Sequence, residues 1–245
     1  MSNGDKQSVL CIIPAYNERG NIKVLLKRLE KAITSVTSQY LILFIIQGID
    51  GSRELLEKII TNKTQVNLLY FPEALGIGRA YKKGFAKIPS HITHVLTLDA
   101  DLNHDPSVIQ SFFKSMEMYH ADVVVGSRFI KGGKFLDRRV WKRWASRVVN
   151  RIVRVLLRTQ VRDVSSGFRL MRSEVVRSVL PQLHETGYPF YMEFLLIAQQ
   201  KKYKIVEVPI TYSARRWGKS KMGTFSTAVE YFKFFSRMFF RLYGW

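Results

Sequence analysis

One cysteine, Cys11, is all the thiol chemistry this 245-residue chain holds. It lies inside an apolar run, which excludes both a disulfide framework and a thiolate metal site and fits a reducing compartment. Long uncharged apolar stretches are missing as well: no segment reaches the roughly 18 residues a membrane span needs. Met1 to Gln7 is polar where a signal peptide would carry its apolar core. These absences place the expected protein at the cytosolic side of a membrane without crossing it. Acidic residues are scarce, 19 against 39 lysines and arginines, and the net charge of +20 calls for a polyanionic partner. Nucleic acid, an anionic lipid surface and a phosphorylated substrate all satisfy that demand. The excess is concentrated after Arg128, among Trp and Phe and away from Gly or Ser, a pattern that suits a membrane surface better than a nucleic-acid tail.

What is present is enough for a full core, since 47% of the residues are hydrophobic. Apolar runs at Val9 to Pro14, Leu41 to Gln47, Val66 to Phe71, Val95 to Leu98 and Asp122 to Gly126 predict strands. Between them, Asn21 to Ser35, Ser52 to Asn62, Gly78 to Lys87 and Pro106 to Tyr119 have helical spacing. The alternation predicts an α/β domain with a mostly parallel central sheet flanked by helices. No internal repeat, low-complexity segment or long linker divides it.

Two amphipathic helices are predicted beyond that core. Over 138–158, Arg143, Arg147, Arg151, Arg154 and Arg158 fall within a sector of roughly 80° at about 100° per residue, beside Trp141, Trp144, Val148, Ile152 and Val155. Over 224–245, Lys233, Arg237 and Arg241 recur beside Tyr231, Phe234, Phe235, Met238 and Phe239. Each reads either as an interfacial helix with its apolar side in a bilayer or as a helix packed on the domain with solvated charges. The division is therefore a catalytic domain over 1–223 and a C-terminal interface helix over 224–245.

The chemistry is concentrated at His94-Val95-Leu96-Thr97-Leu98-Asp99-Ala100-Asp101. Two carboxylates at the carboxyl end of a buried strand sit where α/β sheets bind ligands. Their hard oxygens suit Mg²⁺ or Mn²⁺, which completes its shell with water and substrate phosphates. Pro14-Ala15-Tyr16-Asn17-Glu18 ends the first strand, and Leu75-Gly76-Ile77-Gly78 opens a helix with glycines that permit close backbone approach.

Together with Asp99-Ala100-Asp101-Leu102-Asn103-His104, Gly126-Ser127-Arg128-Phe129, Asp163-Val164-Ser165-Ser166-Gly167-Phe168-Arg169 and Val208-Pro209-Ile210, this ordered set resembles the inverting family 2 glycosyltransferases of GT-A fold. Within them it is similar to the dolichol-phosphate mannose synthases, over roughly residues 8 to 225. The resemblance implies a nucleotide-diphospho-sugar transferase fold with Asp99 and Asp101 at the metal and donor diphosphate. It implies Pro14, Tyr16, Glu18, Asp50, Gly76 and Ala100 in the nucleotide-sugar pocket, and Arg215, Lys219 and Lys221 on a loop closing over the donor. Arg128 is implied as a catalytic residue and, with Lys142, Arg143, Ser146, Arg147 and Asp163, as part of an acceptor-phosphate site.

The activity so implied is transfer of a hexose, mannose from GDP-mannose, to a polyprenyl or dolichyl phosphate with inversion. The implied setting is peripheral, on the cytoplasmic face of the endoplasmic reticulum in a eukaryote or of the plasma membrane in a prokaryote. A membrane surface and a small membrane-anchoring subunit are its expected partners, and nucleic acid is not. One departure stands out: the family's two adjacent acidic residues after the second strand are replaced by Gln47-Gly48-Ile49-Asp50, leaving Asp50 alone to meet the nucleoside. Transfer of glucose to polyprenyl phosphate or another family 2 glycolipid synthesis is the nearer alternative, and a non-enzymatic nucleic-acid-binding protein the distant one.

Overall fold

The strand β1 (Ser8–Tyr16) is buried along all but its last residue, because the chain covers both of its faces, as parallel strands require. Alternate side chains divide between two cores. Leu10 and Ile12 join one, and Val9, Cys11, Ile13 and Ala15 the other. Burial pushes the Cys11 thiol pKa up, so it stays protonated and acts as a small hydrophobe. The computed structural model describes residues 7–137, 140–156, 158–213 and 229–237.

The chain proceeds through α1 (Arg19–Thr34), β2 (Gln39–Gln47), α2 (Ser52–Ile60), β3 (Val66–Phe71), α3 (Ile77–Phe85), β4 (His94–Thr97), α4 (Ile109–Met118) and β5 (Val123–Ser127). It continues with β6 (Lys134–Leu136), α5 (Val140–Leu156), β7 (Arg169–Arg172), α6 (Ser173–Val179), α7 (Phe190–Gln200), β8 (Ile205–Pro209) and β9 (Thr211–Ser213). A last described helix, α8, covers 229–237. Ile22, Leu25, Leu26, Leu29 and Ile33 recur at helical spacing on α1 and are buried, so that face seals one side of the sheet.

Seven strands form the main sheet in the order β3-β2-β1-β4-β7-β5-β8, and β6 pairs with β9 in a small second one. All neighbours in the main sheet are parallel except those of β7, which runs antiparallel to both β4 and β5. After β1 the chain winds outward through β2 and β3, then returns to place β4 on the other side of β1. The carboxyl ends of β1 and β4 therefore flank the point at which strand order reverses, the usual ligand crevice of an open α/β sheet.

The expected strands and helices of the first 127 residues are present within a few residues of their anticipated ends. The basic helix is α5, but it ends at Leu156, and Arg158 lies beyond it with a φ of 47°. On α5, Val153 is buried and Val149 packs against the core, while Val140, Trp144, Ile152 and Val155 are exposed. Of the predicted C-terminal helix, 229–237 are described, and there Phe232 is exposed. On α8, Phe234 is buried and Tyr231 and Phe235 pack against the core, so these three rings face protein. Met238, Phe239 and Arg241 lie outside the described residues. No described helix is long and apolar enough to cross a membrane.

Candidate active site

Four strand ends build the crevice. Beyond β1, Tyr16 is exposed and Glu18 buried, its carboxylate accepting a hydrogen bond from Asn21 Nδ2 at 2.5 Å. Pro14 is buried inside β1 opposite Ile45. Beyond β2, Asp50 accepts from the backbone N–H groups of Arg19 at 3.1 Å and Ser52 at 3.0 Å, pinning the first turns of α1 and α2. Gln47, the residue that departs from the family pattern, is buried and its Oε1 accepts from Leu75 N at 2.8 Å. Its amide thus ties the end of β2 to the loop leading into α3.

The glycines of that loop serve the protein's own backbone. A Cβ at Gly76 would lie 2.8 Å from Thr186 O, and one at Gly78 would lie 2.7 Å from Glu185 O. Gly78 N donates to Thr186 O at 2.9 Å and Arg79 N to the same oxygen at 3.3 Å. Glu193, on α7, accepts from His184 N and Glu185 N and so ties the same segment to α7. Because backbone cannot yield as a side-chain tip can, Gly78→Ala is expected to cost about 1–3 kcal/mol, measured as a lowered urea midpoint.

Beyond β4 stand Asp99 and Asp101. Asp99 is half-buried, and its Oδ1 accepts from Tyr81 Oη at 3.2 Å and Tyr191 Oη at 3.0 Å. Burial, with the Asp99 charge adding to it, raises both tyrosine pKa values well above the usual phenol range, so both remain O–H donors. Asp101 is buried and accepts from Asn103 N at 3.1 Å and Asn103 Nδ2 at 2.6 Å. The same Nδ2 lies 2.6 Å from Tyr212 Oη, and Ser213 N donates to Asn103 O. Ala100 is buried between the two carboxylates.

The Tyr212 ring continues the site toward Arg128. The Arg128 guanidinium lies 5.4 Å from that ring's centroid and 4.8 Å from that of Phe135. It grips Asp163 through Nε at 2.7 Å and Nη2 at 2.7 Å, and Nη2 also reaches Ser165 Oγ at 2.8 Å. Asn150, buried in mid-α5, donates to Ser146 O and Ser165 Oγ and accepts from Val164 N, fastening α5 to the 163–166 loop. The expected acceptor residues Arg128, Ser146 and Asp163 are therefore neighbours, with Arg143 half-exposed and Arg147 exposed on the same helix. The side chain of Lys142, and Arg215, Lys219 and Lys221 entirely, lie outside the described residues. Asp163 balances Arg128, so this corner of the site holds an ion pair and not a lone cation.

Tyr81, Tyr191, Asn150 and Tyr212 escaped the sequence reading. Asn150 alone had a local signal, an amide in the middle of an otherwise basic and apolar helix.

Two histidines, His104 buried and His94 half-buried, add a pH dependence. His104 lies between the Phe168 and Tyr212 rings, with centroids 5.3 Å from each, and burial lowers its pKa to about 3. Burial, with Arg172 nearby, lowers that of His94 to about 4. Both are neutral when folded but become charged near pH 6.5 when unfolded, so the unfolded chain binds more protons as pH falls. Stability should be full above about pH 6.5 and drop on acidification, by on the order of 4 kcal/mol in total at pH 5. Urea midpoints at pH 7.5 and pH 5 check this.

As a test of metal fit, Asp99 and Asp101 supply hard oxygens at the crevice, and buried Asn103 Oδ1 lacks a hydrogen-bond partner among the described residues. No group of three or more His, Cys, Asp or Glu side chains suited to a metal occurs among the described residues. Two carboxylates with substrate phosphates and water fit Mg²⁺ or Mn²⁺.

The mostly parallel sheet with paired carboxylates at its switch point fits a nucleotide-sugar transferase of GT-A-like fold, and the profile of glycosyl transferase family 2 matches residues 10–180. The chain belongs to that family and is a glycosyltransferase. It is 31% identical over 235 residues to a dolichol-phosphate mannosyltransferase of Pyrococcus furiosus, covering 94% of this chain and 63% of that protein. It is 30% identical over 232 residues to a polyprenol monophosphomannose synthase of Mycolicibacterium smegmatis, covering 93% and 85%. Its fold matches glucosyl-3-phosphoglycerate synthase of Mycobacterium tuberculosis with Mn²⁺, UDP and phosphoglyceric acid, at a TM-score of 0.66 and 14% identity over 87% of this chain and 72% of that one. The same enzyme with Mg²⁺ and UDP matches at 0.64 and 16% identity over 87% and 73%.

These structures correct the expectation of mannose transfer from GDP-mannose to a polyprenyl or dolichyl phosphate. The glucosyl-3-phosphoglycerate synthase that shares this fold is seen in complex with Mn²⁺, UDP-glucose and phosphoglyceric acid. The lipid acceptor is withdrawn with it as an expected partner.

Proposed function

We propose that the protein transfers a hexose from a nucleoside diphosphate sugar to an anionic acceptor, with Mg²⁺ or Mn²⁺ held at Asp99 and Asp101. The observation that carries this reading is the pair of braced carboxylates at the carboxyl end of β4, where strand order reverses. When bound, the metal would neutralise charge on the departing diphosphate. Asp99 and Asp101 orient that diphosphate, and the N-terminal turn of α3 and the Tyr16–Glu18 segment wall the nucleoside side. The excess positive charge supports an acceptor bearing phosphate or carboxylate. The finding of UDP-glucose and phosphoglyceric acid in the fold relative makes these the first substrates to try.

The test is nucleoside diphosphate release from UDP-glucose, UDP-N-acetylglucosamine and GDP-mannose with Mn²⁺ and phosphoglyceric acid or glycerol 3-phosphate, with products identified by mass spectrometry. A glycosylated acceptor formed only with metal is expected. Metal-independent transfer would overturn the metal role, and a glycosylated product from a neutral acceptor such as glycerol alone would overturn the anionic one.

A further inference from the structure

We infer that Tyr81 and Tyr191 are positioning residues that set the orientation of Asp99 for metal binding, an inference that rests on the metal reading above. The two hydroxyls come from different helices, α3 and α7, yet converge on one oxygen, Asp99 Oδ1, at 3.2 and 3.0 Å. Two donors on a single carboxylate oxygen fix the rotation of the carboxyl plane and with it the direction of the second oxygen. One donor would leave the plane able to swing.

The convergence is built. Tyr81 stacks on Phe190 with ring planes 2° apart and centroids 5.6 Å apart, and meets Tyr191 edge-on at 5.8 Å. Tyr191 is held from behind by Arg169, whose Nη2 donates to Tyr191 O at 2.8 Å and whose guanidinium lies 5.3 Å from the Tyr191 ring centroid. Gly167 clears the space for the phenol: a Cβ there would lie 2.7 Å from Tyr191 Oη. The spacing of α3 from α7 is in turn fixed by the 183–187 segment, which Glu193 holds from α7 and which Gly78, Arg79 and Lys82 hold from α3. Every part that could let the hydroxyls drift is tied, although hydrophobic packing alone would need neither phenol oxygen.

Partners of this kind behind a metal ligand typically change metal affinity by about 10–100-fold. The experiment measures Mn²⁺ affinity by electron paramagnetic resonance in the presence of UDP. It compares wild type with Tyr81→Phe, Tyr191→Phe, the double variant and Asp99→Asn, all well below their melting temperatures. Phenylalanine keeps both rings, and circular dichroism verifies that each variant is folded. Each single variant is expected to bind Mn²⁺ about 10-fold more weakly, and the double variant more weakly still. Wild-type affinity in the folded double variant, with binding lost in Asp99→Asn, would overturn the positioning role and leave the metal site standing. Wild-type affinity in Asp99→Asn would overturn both. A double variant that fails to fold leaves the two single variants as the deciding pair.

Discussion

Asp99→Asn and Asp101→Asn are each expected to cut turnover at least about 1,000-fold while leaving the fold intact, a loss of about 4 kcal/mol at about 1.4 kcal/mol per factor of ten. The substitutions keep size and shape and remove one negative charge each, so packing is preserved while the pull on a divalent cation is weakened. The two positions should differ in character. Asp99 is half-buried and braced from two helices, so its loss should fall chiefly on metal affinity, and raised Mn²⁺ should recover part of the rate. Asp101 is buried and bonded to Asn103 through both oxygens. Its loss should also loosen Asn103 and, through it, Tyr212 and the strand β9, so raised metal should recover less. Rates measured across a Mn²⁺ series separate the two cases. Wild-type-like turnover in either variant would remove that residue from the metal site.

The second large effect is on stability. Asp163 is fully buried, and the Arg128 side chain it holds is 10% exposed. Removing the carboxylate in Asp163→Ala strands a guanidinium among Phe129, Phe135 and Tyr212, which is expected to cost about 3–5 kcal/mol of folding free energy. The mirror change, Arg128→Met, leaves a buried carboxylate still served by Arg128 N and Ser165 Oγ, and should cost less. The Arg128→Met, Asp163→Ala double variant should be more stable than Asp163→Ala, because no charge is left unpaired. Urea unfolding of the four proteins forms a double-mutant cycle. If the double variant's loss equalled the sum of the two single losses, the pair would not be coupled.

Much of the α/β core was legible because its signals are local. β1 and β2 read as unbroken apolar runs since both faces are covered, and α1 shows its buried stripe at helical spacing. The antiparallel strand β7 was not legible. It is four residues long and begins and ends with arginine, and only insertion between β4 and β5 makes it a strand. The continuous apolar sequence of α7 lacks amphipathic periodicity because nearly every residue of the helix is buried. The same split holds for the site. Asp99 and Asp101 stand two residues apart and announce themselves, whereas Tyr191 meets Asp99 across 92 residues of chain. In the C-terminal helix the aromatic pattern cannot say which apolar surface it meets. Phe234 meets the protein.

The central claim, a metal-dependent nucleotide-sugar site at Asp99 and Asp101, is tested most directly by calorimetric titration of UDP-glucose and GDP-mannose into the protein with and without Mn²⁺. The account predicts that at least one donor binds only when Mn²⁺ is present and that Asp99→Asn abolishes the metal-dependent heat. Equal donor affinity with and without metal, or undiminished metal-dependent binding in Asp99→Asn, would contradict it.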